Sequence, residues 1–313
     1  MSEKITIGIH SASWTEHSRR VLQGLLNYIE EFPNIQVRDF RFSSNDPNLV
    51  GNPPWTGKVD GAIVAAGRNP GITTWIRRGK VPVVMASADL IDSGFVSVYT
   101  DVHSVGRLAA SHLTEAGFEN IAFVGYQKSD GSKRRRDGLA DELAKRGIKL
   151  KALALKEIPV DSVEDEREIS DSTVEKVQQL LDKSPKPLAV VALNDVVAEF
   201  IAKVAREMGI SIPDELGVLG VGDSERARMA DPPISSVQTP GVEIGYRCAS
   251  LLHSMILGNS PKETVFEIPA EKVTARRSTT GWKRAAITDI DRAVNYIRDH
   301  ACDGIRLKDV ASA

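Results

Sequence analysis

Polar side chains suited to binding a small molecule follow several short apolar runs of the sequence. Runs rich in Val and Ile predict buried strands, and ligands of open α/β sheets bind beyond the carboxyl ends of such strands. The polar stretches are His10-Ser11-Ala12-Ser13-Trp14, Thr100-Asp101, Asn194-Asp195 and Gly222-Asp223-Ser224. Carboxylates, amides and an aromatic ring suit a sugar, which offers hydroxyl groups and an apolar ring face. These stretches therefore predict a sugar site.

Two roles are open to Asp101 and Asn194, which stand where a predicted strand meets a predicted helix. Either side chain could cap the helix by accepting backbone amide hydrogens, or it could point into a cleft and accept from ligand hydroxyls. Trp14 could stack on a sugar ring or cap the sheet. The sequence leaves both roles of each residue open.

The strongest basic run is Lys133-Arg134-Arg135-Arg136. Its plain interpretation is the solvated first turn of a helix that continues through Leu139 and Leu143, and the alternative is a patch that binds nucleic acid. A planar guanidinium that turned inward could instead donate a forked pair of hydrogen bonds to a ligand.

Signatures of common enzyme and metal sites are missing from the sequence. It has no GxGxxG, Walker A, HExxH or GxSxG motif, and Cys248 and Cys302 lack metal-type spacing. His10 and His17, near the first predicted strand, have no nucleophile elbow or orienting carboxylate to complete a triad. We therefore expect no catalytic residue, no metal and no cofactor.

Composition predicts a folded protein of about two domains. The 313 residues are 42% hydrophobic, and 40 basic against 42 acidic residues give a formal net charge of -2. No overall field would therefore attract the chain to nucleic acid or to an anionic membrane. The start runs directly into Ile5 to Ile9 without a secretion signal, and no apolar run is long enough to span a membrane. We expect a cytoplasmic protein, with its cysteines in a reducing compartment.

Strand and helix patterns alternate along the chain, which predicts an α/β fold with parallel sheet. Helices are expected at Thr15 to Glu31 and Ser104 to Ala116, and glycines at 117, 147 and 209 are expected to end helices. The predicted strands are Ile5 to Ile9, Ile35 to Phe42, Gly61 to Ala65, Val81 to Met85, Val96 to Tyr99, Ile121 to Val124, Leu188 to Leu193 and Val218 to Val221.

Three segments resemble the LacI/GalR-type effector domain in order and spacing. They read AVVALND from residue 189, ISIPDELGVLGVGD from 210 and PPISSVQTPGVEIGYRCASLLHSMILG from 232. Asp101 before Gly106, and Arg135 three residues before Gly138, are also placed as in that family. The resemblance covers almost all of residues 4–280.

The resemblance implies two similar doubly wound parallel-sheet lobes, like those of type I periplasmic binding proteins, in residues 1–280. One lobe would hold about 4–118 and 240–261, and the other about 119–239 and 262–280. Chain crossings are expected near Gly117-Phe118, from Gln238 to Gly241 and from Ser260 to Glu263.

A sugar effector would bind in the hinge cleft and close the lobes, and two such chains would form a homodimer. Arg135 would then point inward. The ligand-binding residues expected are Ser11, Trp14, Asp101, Arg135, Asn194 and Asp223.

The acidic contact departs from the family pattern. Family members usually carry an acidic residue directly after the Gly-Val of this strand, whereas this chain has Gly222 there and Asp223 one position later. The usual contact with a ligand hydroxyl is therefore expected to be shifted or lost, and the identity of the sugar stays open.

The tail is similar to the junction in xylose operon regulators, where a LacI-like sensor precedes an AraC-type pair of helix-turn-helix units. The similarity rests on Arg276-Arg277-Ser278-Thr279 and on AVNYIRDHACDGIRLKDVASA from residue 293. It implies a linker at 281–288 and a truncated AraC-type module at 289–313. DNA would therefore be bound only by the full-length protein.

Two rival classes share parts of this pattern. A sugar receptor of a transporter would have the two lobes but also a secretion signal and no DNA-binding tail. A doubly wound enzyme such as a dehydrogenase would have a glycine-rich phosphate loop after the first strand, where this chain has HSASW from residue 10.

Overall fold

A computed structural model describes residues 4–11, 16–40, 52–65, 72–88, 94–157, 169–280 and 297. These residues form two six-stranded sheets with helices on both faces, the two-lobed α/β fold that the sequence predicts. The strands are β1 (Ile5–Ser11), β2 (Ile35–Asp39), β3 (Gly61–Ala65), β4 (Val83–Met85), β5 (Val96–Thr100), β6 (Asn120–Tyr126), β7 (Lys151–Leu155), β8 (Leu188–Ala192), β9 (Leu216–Val221), β10 (Ser235–Gln238), β11 (Val265–Ile268) and β12 (Lys272–Thr274). The helices are α1 (Glu16–Glu31), α2 (Ile72–Arg77), α3 (Val102–Ala116), α4 (Asp130–Ala144), α5 (Asp171–Asp182), α6 (Asp195–Glu207), α7 (Glu225–Met229) and α8 (Gly241–Ile256).

The first lobe is built on a parallel sheet with strand order β11-β5-β4-β3-β1-β2. Alternate residues of β1, namely Ile5, Ile7 and Ile9, pack against helices α1 and α8. Trp55 and Trp75 pack against the opposite face of this sheet. Their rings meet edge to face, with centroids 5.6 Å apart. A strand that is buried on both faces needs an apolar run, which is why these strands could be predicted.

The second lobe has the strand order β12-β10-β9-β8-β6-β7. Helices α5 and α6 cover one face of this sheet, and α3 and α4 cover the other. Strand β12 runs antiparallel to β10, so this sheet is mixed rather than wholly parallel.

Two of the crossings between lobes differ from the expected positions. Helix α3 buries Val105, Ala109 and Leu113 in the core of the second lobe, so the chain has already crossed at Asp101 and not near Gly117-Phe118. Strand β11 pairs with β5 of the first sheet, so the last crossing follows Ile268 rather than Ser260 to Glu263. The remaining crossing lies between β10 and α8.

The predicted helix ends at glycine are confirmed. Gly117 caps α3 in the left-handed region at φ 96°, and its amide donates to the carbonyl oxygens of Leu113 and Thr114. Gly147 and Gly209, which follow α4 and α6, also have positive φ. Strand boundaries agree within about three residues, as for Ile35 to Phe42, which is observed as Ile35–Asp39.

Candidate functional site

Side chains from both lobes meet at the carboxyl ends of the two sheets. On the first lobe these ends lead to His10, Ala86 and Asp101, and on the second lobe to Leu193 and Asp223. The guanidinium of Arg20 in α1 donates to the carbonyl oxygen of Asp223 in the other lobe over 3.0 Å. The strand ends of the two lobes thus line a common cleft, where ligands of open sheets bind.

Asp101 lies at the first crossing and caps helix α3. Its carboxylate accepts from the amides of His103 at 2.8 Å and Ser104 at 3.2 Å. Its own amide donates to the carbonyl oxygen of Ile268, at the last crossing, over 2.8 Å. Asp101 therefore has the capping role, one of the two that the sequence leaves open, and it joins two of the three crossings.

Asn194 caps helix α6, since its Oδ1 accepts from the amide of Val197 at 3.0 Å. The next residue, Asp195, is 2% exposed and accepts from the amide of Ser224 and the hydroxyl of Ser236. Burial raises the pKa of Asp195. This carboxylate ties the end of β8 to the turn after β9, so its role is structural.

Asp223 is held by cations of its own lobe. Its carboxylate is 6% exposed and pairs with the Arg276 guanidinium, while the hydroxyl of Thr274 donates to it over 3.2 Å. Arg228 approaches the same carboxylate to 3.6 Å. Asp223 also adopts a left-handed backbone conformation at φ 54°. A ligand hydroxyl would therefore share this carboxylate with Arg276 and Thr274.

Position 222 has little room for a side chain beside Asp195. A Cβ atom on Gly222 would lie 3.2 Å from Asp195 Oδ2, and the residue has a φ of 132° that L side chains rarely adopt. An acidic residue here would also place a second carboxylate next to a buried one. The departure from the family pattern at Gly222 thus agrees with the packing around it.

Arg135 turns toward the ends of the strands rather than into solvent. Its Nη1 donates to the carbonyl oxygen of Leu193, directly after β8. Its neighbours in the basic run differ: Lys133 pairs with Asp130, and Arg136 pairs with Asp137 at the surface. The residue types alone do not show which of the four basic side chains points inward. Their positions around helix α4 direct Arg135 toward the strand ends.

His17 and Arg20 are cleft residues that sequence reasoning missed as ligand candidates. His17 is the second residue of α1, and its Nε2 lies 3.2 Å from the carbonyl oxygen of Ala86, just after β4. Burial lowers the pKa of His17, and the charges of Arg135 and Arg20 lower it further. The signal in the sequence was their place near the start of the helix after β1.

Ser11 and Trp14 have no described side chain in the structure. Ser11 ends β1, and Trp14 lies outside the described residues, as do residues 281–296 and 298–313, where the sequence predicts the linker and the AraC-type module. Of the predicted ligand residues, the structure places Asp101, Arg135, Asn194 and Asp223 at the strand ends. Among the described residues there is no cluster of metal-ligating side chains and no helix that could span a membrane.

Comparison with known protein families gives a match to the periplasmic binding protein-like domain over residues 110–279. The xylose operon regulatory protein of Haemophilus influenzae is 26% identical over 311 residues, which cover 94% of this chain and 75% of that protein. The protein of the same name from Escherichia coli K12 is 27% identical over 69% of this chain. The match spans 54% of the length of that E. coli protein.

Solved structures share the fold. A structure described as the xylose-binding transcription activator xylR superposes with a TM-score of 0.72 at 22% identity, and covers 100% of this chain and 79% of its own. The dimeric Lac repressor with an 11-residue C-terminal deletion gives a TM-score of 0.67 at 16% identity, covering 88% of this chain and 98% of its own. At these identities the likeness establishes the architecture.

Proposed function

Because the chain belongs to the periplasmic binding protein-like family, we propose that residues 1–280 are the effector-binding part of a sugar-responsive transcription regulator. The observation that carries this proposal is the inward position of Arg135, whose guanidinium is held at the carbonyl of Leu193 among the strand ends of both lobes. Guanidinium, carboxylate and amide groups together match the hydroxyls of a sugar. Xylose or another pentose is the effector that we propose, since relatives that match this chain include two xylose operon regulatory proteins.

Closure of the lobes would couple binding to regulation. A ligand that contacts both lobes favours the closed arrangement, and it can shift the equilibrium only by its preference for that arrangement, typically about 1–3 kcal/mol. The bond from Arg20 to the Asp223 carbonyl shows that the lobes are close enough for such contacts. In the full-length protein, closure would reposition AraC-type DNA-binding domains that follow residue 288.

We propose that the protein is a cytoplasmic regulator rather than an enzyme. DNA is its second partner, bound in the full-length protein through the tail, and we propose neither a cofactor nor a membrane partner. A homodimer is proposed because paired DNA-binding modules read paired half-sites, and because the dimeric Lac repressor shares this fold. Light scattering that gave the 34.1 kDa mass of one chain at high micromolar concentration would contradict the dimer.

A thermal-shift panel tests the proposed class of ligand. The melting temperature is measured with pentoses, hexoses and nicotinamide cofactors, because a ligand that binds the folded state raises it by mass action. The proposal expects stabilisation by at least one sugar and none by nicotinamide cofactors. Stabilisation by a cofactor alone would instead favour a doubly wound enzyme.

A further inference from the structure

A sugar site needs hydrogen-bond acceptors, because every sugar hydroxyl is a donor as well as an acceptor. Two acceptor side chains at the strand ends are already engaged by the protein: Asp101 accepts from two amides of α3, and Asn194 Oδ1 accepts from the amide of Val197. The Asp223 carboxylate is paired with Arg276 and Thr274. A group that accepts without such a partner would therefore add to what the site can recognise.

His17 supplies an acceptor by virtue of its tautomer. Its Nε2 lies 3.2 Å from the carbonyl oxygen of Ala86, and a carbonyl oxygen can only accept. The hydrogen of the neutral ring must therefore sit on Nε2, which leaves a lone pair on Nδ1. Arg135, in the second lobe, lies near enough for its charge to lower the pKa of this ring.

The surroundings of the ring keep it neutral. Burial has the largest effect on the pKa of His17 and lowers it. The hydrogen bond to the Ala86 carbonyl acts in the opposite direction, while the positive charges of Arg135 and Arg20 lower the pKa further. A positive charge on this ring would be repelled by both guanidinium groups. A lowered pKa therefore preserves the Nδ1 lone pair at neutral pH.

We infer that His17 is a further ligand-binding residue, and that its Nδ1 accepts a hydrogen bond from a hydroxyl of the bound sugar. The inference rests on the proposed function, because it takes a sugar as the ligand. In this arrangement the first lobe accepts from the sugar through His17, while the second lobe donates to it through Arg135. A ligand held by both residues joins the two lobes and favours their closed arrangement.

Two substitutions at His17 test the roles of the two ring nitrogens separately. His17→Gln places an amide nitrogen near the position of Nε2 and retains a donor for the Ala86 carbonyl, but it has no acceptor in place of Nδ1. His17→Asn places its amide oxygen near the position of Nδ1 and loses the bond to Ala86. Calorimetric titration of wild type and both variants uses D-xylose, or the pentose or hexose that most stabilises wild type.

The inference predicts that His17→Gln weakens sugar binding by about tenfold and that His17→Asn weakens it less. A reversed order, with the Gln variant near wild type and the Asn variant weak, would assign His17 a structural role through Ala86 and overturn the inference. In that case wild type still binds sugar and the proposed function stands. Wild type that binds none of the sugars overturns both.

A spectroscopic measurement reports the tautomer directly. In ¹⁵N-detected NMR of histidine-labelled protein, the proton of His17 is expected on Nε2, and the Nδ1 signal is expected to shift when sugar is added. In a matched experiment, the signals of His112 are expected to stay unchanged, because its Nε2 contacts the Thr279 hydroxyl at 2.7 Å near the amino end of β10, away from the cleft. A proton on Nδ1 of His17, or an Nδ1 signal indifferent to sugar, would overturn the inference.

Discussion

Arg20 Nη2 lies 3.0 Å from the carbonyl oxygen of Asp223, so a helix of the first lobe donates a hydrogen bond to the second lobe. The same guanidinium pairs with Glu16 at 2.8 Å, one helical turn earlier, and the Arg20 side chain is 18% exposed. A charged donor that is largely shielded from water makes a stronger hydrogen bond than an exposed one. This bond is a direct tie between the lobes at the hinge.

Replacement of Arg20 by Met should loosen the lobes. Met retains an apolar stem beside Gly241, which Arg20 contacts, but it cannot donate to Asp223. Loss of the bond should favour the open arrangement by about 1–2 kcal/mol, so that the radius of gyration of the ligand-free protein increases in small-angle scattering.

Arg19→Met is the control for the loosened lobes, because Arg19 is 49% exposed and pairs with Glu16 on the same turn. Its scattering curve should match wild type. Equal curves for wild type and both variants would show that the bond from Arg20 does not hold the lobes.

Substitution of Arg135 by Ala should abolish stabilisation by sugar while the protein stays folded. A guanidinium that donates two hydrogen bonds to a ligand should contribute about 3 kcal/mol or more to binding. Arg136→Ala on the same helix is the matched control, because Arg136 pairs with Asp137 at the surface. Calorimetry that gave the same affinity for wild type and Arg135→Ala would remove Arg135 from the site.

Much of the fold could be predicted because buried strands need apolar runs, as at Gly61–Ala65, whose bounds agree with the prediction. Strand β11 was not predicted, because it lies at a sheet edge. There Val265 is 37% exposed, and the apolar run in the sequence is short. Helix α3 was predicted but assigned to the wrong lobe. Periodicity shows which face of a helix is buried, but it does not show which sheet covers that face.

The candidate site was predictable only in part. Asp101 and Asn194 could be placed because parallel strands bring their carboxyl ends to one edge. The pairing of Asp223 with Arg276 could not be predicted, since 53 residues of sequence separate the two side chains. His17 was missed for a similar reason: its partner, the Ala86 carbonyl, is 69 residues away and belongs to the backbone.

Replacement of Gly245 by Ala should destabilise the first lobe. Helices α1 and α8 approach so closely that a Cβ on Gly245 would lie 1.9 Å from the carbonyl oxygen of Val21. Backbone atoms cannot yield as a flexible side chain can, so we expect a loss of about 1–3 kcal/mol in the free energy of unfolding.

Urea unfolding would measure the effect at Gly245, with Glu243→Ala as a control on the exposed face of α8. The control should change the free energy of unfolding by less than about 0.5 kcal/mol. Unchanged stability in Gly245→Ala would mean that the two helices can separate without cost.

His10 should make stability depend on pH below about 6.5. Burial lowers the pKa of His10 from 6.5 to about 3, and its Nδ1 donates to the carbonyl oxygen of Phe40 at 2.6 Å. Between these values the unfolded chain binds a proton that the folded protein does not, so stability falls as the pH falls. The expected loss is about 1.4 kcal/mol per pH unit.

The His10→Asn variant isolates this effect, since its amide nitrogen can still donate to Phe40 but does not titrate. Urea unfolding at pH 7 and pH 5 should show that wild type loses about 2 kcal/mol more than the variant between the two conditions. Equal losses of stability in both proteins would show that His10 binds a proton in the folded state as readily as in the unfolded state.

Calorimetric titration of the wild-type chain with D-xylose and a panel of pentoses and hexoses tests whether the cleft between the lobes is a sugar site. We predict saturable binding of one sugar molecule per chain, with a pentose preferred. A negative heat-capacity change is expected if the lobes close and bury apolar surface. The absence of saturable heat with every sugar, at concentrations where the protein remains folded, would show that the cleft is not a sugar site.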